Sequence, residues 1–387
     1  MRQLVCLTAI CITAVNVVQP RSHPLQAIFA GEMLVTPTHD GVKHMNQLRR
    51  DPITGVWTIV IQNGVGLEEL VPDTPAIRAI PGETCSYCQG HENETPSEIF
   101  AVRPHGSRND ASWRVRVVPE RMPVLQIHGD LNNRGLGIYD MYDGIGAHEV
   151  VIESPEHNKR LVDLADHEIA EVLSTYKDRM QDLKKDARFR YVLIHKSLRT
   201  GNDPHLHHAH SNVLATPITP QRVRDELQNA QQFFNLKERC LFCDIIRQEI
   251  DDNQRIVAAN ESFVALCPFA ARAPFETWIL PKKHETFFEW QSELPSLAKL
   301  LRMVLDRMRG TLGDPNYVME IHSGPNLFAG KNRGYWKTVE RDFHWHIEIT
   351  PRSCKSDALG KSRGIAAYQR RFLKNSPCKP GDHQDAS

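Results

Sequence analysis

The chain has 387 residues, 41% of them hydrophobic, which is enough to build more than one core. Lysine plus arginine equals aspartate plus glutamate at 47 each. That balance excludes the basic excess of a general nucleic-acid binder and leaves room for a small anionic substrate held by a few local groups. Nine cysteines include two Cys-x-x-Cys pairs, Cys85/Cys88 and Cys240/Cys243. In a long, histidine-rich chain these read as metal ligands in a reducing compartment, not as the disulfide framework of a short secreted protein.

Arg2 precedes an apolar run from Leu4 to Val18 that resembles the core of a signal peptide. The run is short for a membrane span, and no small-x-small cleavage site follows it. Residues 1–44 are therefore read as a leader or a mispredicted start, with Met45 as the working start and export as the alternative. The expectation is a cytoplasmic protein with no membrane partner.

Arg50 to Gly55 carries turn chemistry, and Val56 to Ile61 is strand-like. Further strands are expected at Trp113–Val118, Glu149–Glu153 and Arg190–His195, with amphipathic helices over Asp166–Lys185 and Pro220–Phe234. The same order then returns. Strands are expected at Phe263–Cys267 and Phe275–Leu280, and a helix over Pro295–Arg309 with Gly310 just past its end. Strands follow at Tyr317–His322 and His344–Thr350. The tail from Ser353 is rich in Lys, Arg, Ser, Pro and Gly, with a short helix expected over Ala366–Leu373.

Chemistry-bearing residues repeat with this order. The first half runs Cys85-x-x-Cys88, Ser154-Pro155-Glu156-His157, then His208-Ala209-His210. The second runs Cys240-x-x-Cys243, Pro281-Lys282-Lys283-His284, then His344-Trp345-His346. Two matches in register point to an internal duplication. Each half can close a Cys2His2 zinc set: Cys85, Cys88, His157 and His208 in one, Cys240, Cys243, His284 and His344 in the other. Two zinc ions per chain are expected. Ordinary buried cysteines or a redox dithiol are the plain alternatives. A rival second site draws on Glu226, His322, His344 and His346, but it leaves Cys240 and Cys243 idle.

Where the first histidine of a His-x-His pair ligates a metal, the second is fixed beside it on the same face. A neutral imidazole whose other nitrogen donates to a backbone carbonyl can attack phosphorus. Two residues past the second histidine stands Asn212 in the first half and Glu348 in the second. An anion beside a developing phosphorane repels its charge, so His210 is the better nucleophile and His346 its degenerate copy. Ser211 and Asn212 are expected to bind phosphoryl oxygens, and Arg116 to assist. Lys282, Lys283 and Arg114 are weaker candidates of the same kind. The pair His205/His207 is the alternative nucleophile; Ala209, two places on, carries no polar group. A fortuitous exposed histidine cluster is the bland reading.

These residues resemble the galactose-1-phosphate uridylyltransferase family of the histidine-triad superfamily, over about Leu48 to Arg352. The resemblance rests on Leu48 to Trp57, on Cys85-Ser86-Tyr87-Cys88 with Glu92-Asn93-Glu94-Thr95-Pro96, on Val115 to Pro123, and on His208 to Pro217. It extends through Pro268 to Arg272, Trp278 to Pro281 and His344 to Ile349. The chain is similar also to ADP-glucose phosphorylases, in which two Cys2His2 zinc sites are expected. The resemblance implies an α+β fold of two duplicated histidine-triad-like modules, each an antiparallel sheet with packed helices. The expected division is a leader (1–44), an N-terminal module with the catalytic histidine (45–219), a C-terminal module (220–352) and a tail (353–387). It further implies a homodimer and ping-pong transfer, in which a nucleotide sugar loads its monophosphate on His210 and a sugar phosphate, or phosphate, removes it; the alternatives are a nucleotide-sugar or dinucleoside polyphosphate phosphorylase or hydrolase on the same histidine, and a zinc-stabilised homologue without catalysis. Gly201 is carried over as a substrate-binding position.

The chain departs from the family pattern at several places. Asn212 stands where the family has glutamine, and Gly201-Asn202-Asp203 where it has Gly-Ala-Ser. Glu120 and Lys196 replace expected asparagines, and no glycine-rich sugar-binding segment follows Arg352.

Overall fold

The structure, a computed structural model, describes residues 47–60, 85–197, 207–313, 315–330 and 332–352. The leader, Gly201, His205, the tail and its expected helix lie outside the described residues.

The first pair of strands is β1 (Gln47–Arg50) and β2 (Trp57–Val60), joined antiparallel. The turn between them follows from local chemistry. The Asp51 carboxylate accepts the Ile53 N–H at 3.0 Å, and Gly55 takes φ +75°, which a side chain would resist. Next come β3 (Phe100–Val102), β4 (Val115–Pro119), a small separate hairpin of β5 (Arg134–Leu136) and β6 (Tyr139–Met141), and β7 (Ala147–Ile152). Helix α1 (Asp166–Leu183), β8 (Tyr191–Ser197) and β9 (His210–Thr216) complete the first half.

The second half opens with α2 (Gln221–Lys237) and α3 (Leu241–Asp252), then β10 (Ile256–Ala259), β11 (Phe263–Leu266) and β12 (Thr277–Pro281). Helix α4 (Leu294–Leu312), β13 (Tyr317–His322), short helices α5 (Asn332–Tyr335) and α6 (Val339–Asp342), and β14 (His346–Pro351) follow.

Two expectations need correction, and one helix was not expected. Helix α4 runs through Gly310 and stops at Gly313, whose φ of +69° closes the helix as its N–H meets the Arg309 carbonyl at 3.0 Å. Helix α3 was not anticipated; it begins directly after Cys240, so a single turn presents both Cys240 and Cys243. His208 and His344 precede β9 and β14, which start at the second histidine of each pair.

The two halves form one ten-stranded sheet in the order β10-β11-β12-β14-β13-β8-β9-β7-β4-β3. The order is a palindrome of the duplication: β8 corresponds to β13, β9 to β14, β7 to β12 and β4 to β11. The halves meet at the antiparallel β8–β13 pair, where His195 lies opposite Glu320. The duplicated modules therefore share a continuous sheet.

Alternation along the strands gives the sheet two faces. One carries Val117, Val151, Val213, Ile194, Met319, Ile321 and Ile347, buried under α1 and α4. Each fully buried aliphatic side chain of this kind contributes about 1.5–3 kcal/mol. The other face carries the polar row Asn212, His195, Glu320 and Glu348, which lie successively opposite one another. In the second half this face is roofed by α2 and α3, through Leu227, Ala230, Phe242 and Ile246 against Leu266, Trp278 and Leu280. In the first half the cover among the described residues is Cys85, Tyr87 and Trp113 packed on Val118, Val150 and Ile152. Among the described residues no helix is long and apolar enough to cross a membrane.

Candidate active site and metal centres

Cys85 and Cys88 lie on one tight turn, closed by Cys88 N–H to the Cys85 carbonyl at 3.1 Å. His157 follows β7 and His208 precedes β9, so pairing of the two strands brings both imidazoles to the turn. His157 Nδ1 lies 3.4 Å from Cys88 Sγ, and His208 Nδ1 lies 3.6 and 3.7 Å from the sulfurs of Cys88 and Cys85. Zinc bonds of ordinary length arranged as a tetrahedron put their ligand atoms about 3.3–3.8 Å apart. The donors are thus spaced as ligands of one ion. His208 Nε2 donates to the Ser154 carbonyl at 2.7 Å, which directs the Nδ1 lone pair at the sulfurs. Burial lowers the His208 ring to about 4 and so keeps it neutral, the form a metal takes.

The second set matches the first. Cys243 Sγ is 3.5 Å from His284 Nδ1, and His284 Nε2 donates to the Glu340 carbonyl at 3.1 Å. His344 is fully buried, with its ring centroid 4.7 Å from that of His284. Its two ring nitrogens are buried, with the Lys283 backbone as their one hydrogen-bonding neighbour among the described residues. A buried nitrogen left over costs free energy unless something ligates it. All four ligand atoms of each Cys2His2 set lie within 4.8 Å of one another.

The rival set separates in space. His344 stands with the cysteines, while Glu226, His322 and His346 gather with Glu348 in a third buried cluster. His322 Nδ1 lies 2.8 Å from Glu226 Oε2, and His346 Nε2 lies 3.8 Å from Glu226 and from Glu348. Arg222 and Arg272 grip the Glu348 carboxylate at 2.5 and 2.7 Å. Burial works to raise that carboxyl, but the two guanidinium groups outweigh it and hold it well below the usual range.

His210 is the first residue of β9 and is half-buried. Its Nδ1 donates to the His208 carbonyl at 2.7 Å, which fixes the tautomer and leaves the lone pair on Nε2. Asn212 lies two residues on, on the same face, and its Oδ1 is 3.1 Å from His148 Nε2. His207 lies ahead of the strand, and His205, the other member of the alternative pair, lies outside the described residues.

Ser211 and Arg116 both commit their polar atoms to protein partners. Alternation turns Ser211 to the opposite face, where its fully buried hydroxyl meets Glu153 and, at 2.7 Å, Tyr176. Arg116, 1% exposed, donates to Thr95 at 2.8 Å and to Glu98 at 3.2 Å. It braces the segment after the Cys85 turn. Lys282 bonds the Asn260 carbonyl, and Arg114 pairs with Glu171. Lys196 has a role that its sequence position did not disclose. Buried against Glu153 at 2.6 Å, it also donates to the His210 carbonyl at 3.1 Å. Burial would lower this lysine and raise this glutamate; their pairing opposes both, and Glu153 ends below its usual value. The ion pair thereby anchors the strand that carries His210. A charged residue at the end of an apolar strand, as in Val150-Val151-Ile152-Glu153, was the signal available in the sequence.

With this geometry in hand, the chain can be set beside known proteins. It is 28% identical to the ADP-glucose phosphorylase of Arabidopsis thaliana over 321 residues, covering 81% of this chain and 86% of that one. It is equally 28% identical over 321 residues to the galactose-1-phosphate uridylyltransferase of Thermotoga maritima, covering 81% of this chain and 90% of the relative. A crystal structure of an Arabidopsis thaliana ADP-glucose phosphorylase with bound ADP-glucose superposes with a TM-score of 0.64. That pair shares 26% identity over 85% of this chain and 94% of the other. Residues 126–220 match the N-terminal domain of galactose-1-phosphate uridyl transferase and residues 226–363 match its C-terminal domain, so the chain belongs to the galactose-1-phosphate uridyl transferase family.

Proposed function

We propose that the protein transfers a nucleoside monophosphate through a covalent intermediate on His210. The observation that carries the reading is the 2.7 Å bond from His210 Nδ1 to the His208 carbonyl. In the neutral ring this bond sets the tautomer and the orientation, with Nε2 as the nucleophile. In the first step Nε2 attacks the α-phosphorus of a nucleotide sugar. The N–P bond forms, the P–O bond to the sugar phosphate breaks, and the sugar phosphate leaves. In the second step an acceptor oxygen attacks the same phosphorus, the N–P bond breaks and His210 is restored. Asn212 offers its amide to the phosphoryl oxygens, while Lys196 and Glu153 keep the strand in place.

Zinc fits both Cys2His2 sets, held by Cys85, Cys88, His157 and His208 and by Cys240, Cys243, His284 and His344. Its role is structural, since both sets are closed by four protein ligands. The first set supports catalysis indirectly: it fixes His208, whose carbonyl fixes His210. The chemistry resides in the N-terminal module, residues 45–219, and the C-terminal module, residues 220–352, completes the sheet. The family resemblance adds a homodimer, which a sedimentation measurement checks.

The acceptor is a sugar phosphate in the uridylyltransferase reading and inorganic phosphate in the phosphorylase reading. The likeness to the ADP-glucose phosphorylase along 86% of that relative's length favours keeping the second. The test is to mix the protein with UDP-glucose or ADP-glucose labelled in the α-phosphate, quench in base, and look for an acid-labile adduct on His210. Chasing the adduct with galactose 1-phosphate or with phosphate then separates the two acceptors. No adduct from either donor, with two zinc ions bound, would overturn the proposal.

A further inference from the structure

The amide of Asn212 is useful to a phosphoryl group only in one of its two orientations. Its NH2 end donates to phosphoryl oxygens; its oxygen end would repel them. With the side chain one methylene shorter than glutamine, the amide has less freedom to be corrected by the substrate. Something in the protein must set it.

His148, on β7, is the group that faces it. His148 lies opposite Leu214, so it shares the face of Asn212 one alternation away. Its Nε2 is 3.1 Å from Asn212 Oδ1. The proton on that bond is assigned by the other nitrogen. The backbone N–H of Val124 points at His148 Nδ1 at 3.4 Å, so Nδ1 accepts and the hydrogen sits on Nε2. Nε2–H then donates to the amide oxygen, and only the two N–H donors of Asn212 are left to turn toward His210.

The same histidine holds the segment after β4. The Glu120 N–H donates to the His148 carbonyl at 3.0 Å, and Val124 completes the grip through the ring. One residue therefore ties the Glu120–Val124 loop to the amide beside the nucleophile.

We infer that His148 is a positioning residue of the transfer reaction: it orders the Asn212 amide so that its NH2 end meets the transferring phosphoryl group. The inference rests on the proposed chemistry at His210. A residue that merely packs β7 against the loop would act on stability and not through Asn212.

The experiment measures single-turnover loading of labelled nucleotide onto His210 in the wild type, in His148→Phe, His148→Gln and His148→Glu, and in each His148 variant combined with Asn212→Ala. His148→Phe keeps a ring and loses the donor; loading should slow by about tenfold to a hundredfold, with donor affinity little changed. His148→Gln restores an N–H donor and should recover most of the rate. His148→Glu presents an acceptor, turns the amide the wrong way and should be slower than His148→Gln. In the Asn212→Ala background none of these changes should cost anything further, because the group they position is gone. Zinc content and melting temperature establish that each variant is folded, and the comparison of His148→Gln with His148→Glu decides the matter if His148→Phe is not. Wild-type loading rates in the variants, or losses that multiply independently with that of Asn212→Ala, would overturn the inference while leaving the nucleophile intact. Absence of loading in the wild type would overturn the transfer chemistry itself.

Discussion

The two halves of the sheet present the same backbone device in opposite surroundings. His210 Nδ1 donates to the carbonyl of His208, and His346 Nδ1 donates to that of His344 at 3.1 Å. In both, the partner histidine stands in a Cys2His2 set. Among the described residues His210 is half-buried, whereas His346 is fully buried beneath α2 and α3, against Phe242 and Trp278. Two residues on, Asn212 is neutral and Glu348 is an anion locked by two arginines. A ring held in the right tautomer is thus insufficient. On the proposed chemistry, access and the charge of its neighbour separate the reactive ring from its copy.

The largest expected effect separates the two histidines directly. His210→Ala should remove the nucleotidyl adduct and lower turnover by about 10⁴-fold or more, as loss of a nucleophile does. His346→Ala should load at the wild-type rate and register only as lower stability, by roughly 1–3 kcal/mol for the hydrogen bond lost to the His344 carbonyl. Adduct measurements on both variants test the contrast, and equal loss in the two would end it.

The next effect converts one half into the other. Asn212→Glu copies Glu348 into the site of the proposed nucleophile, where no arginine equivalent to Arg222 or Arg272 contacts it among the described residues. Loading should fall by about 10²–10³-fold through repulsion of the developing charge and loss of an amide donor. The reverse change, Glu348→Asn, should not make His346 reactive, because the roof of α2 and α3 remains. An adduct on His346 in that variant would show that charge, not access, is the barrier.

Much of this contrast was legible in the sequence. The Cys-x-x-Cys pairs, the histidines that meet them and the Asn212/Glu348 difference depend on short spacings and on a repeat in register, both visible in one dimension. What escaped was set by distant packing. The burial of His346 comes from α3, whose residues lie about a hundred positions away. The destination of Arg116 depends on Glu98 and Thr95 across a loop. Ser211 is a different case: strand alternation alone turns it from the His210 face, while its partners there, Glu153 and Tyr176, are set by packing.

Zinc analysis sharpens the comparison from another side. Cys85→Ser and Cys240→Ser should each cost one of two zinc equivalents. Only Cys85→Ser should also slow loading beyond its effect on the folded fraction, because His208 carries the carbonyl that orients His210. Equal catalytic losses at equal folded fraction would mean that the first set has no special link to the nucleophile.

The smallest effect concerns the second half alone. Burial disfavours a charged His322, yet Glu226 and Glu348 outweigh it and raise the ring to about 10. Its folded value lies above the unfolded value of about 6.5, so its contribution to stability is complete below about pH 6.5 and is lost as pH rises through about 10. At the equivalent position of β8, two residues past His195, stands Ser197, which has no charge to lose. Denaturant unfolding at pH 6, 8 and 10 should therefore show stability falling with pH in the wild type and a shallower fall in His322→Gln. Loading at His210, followed through the same series of variants, should not track that change. If it does, the buried ionic cluster reaches the nucleophile through the His195–Glu320 contact at the seam of the sheet, and the two halves are coupled rather than merely fused.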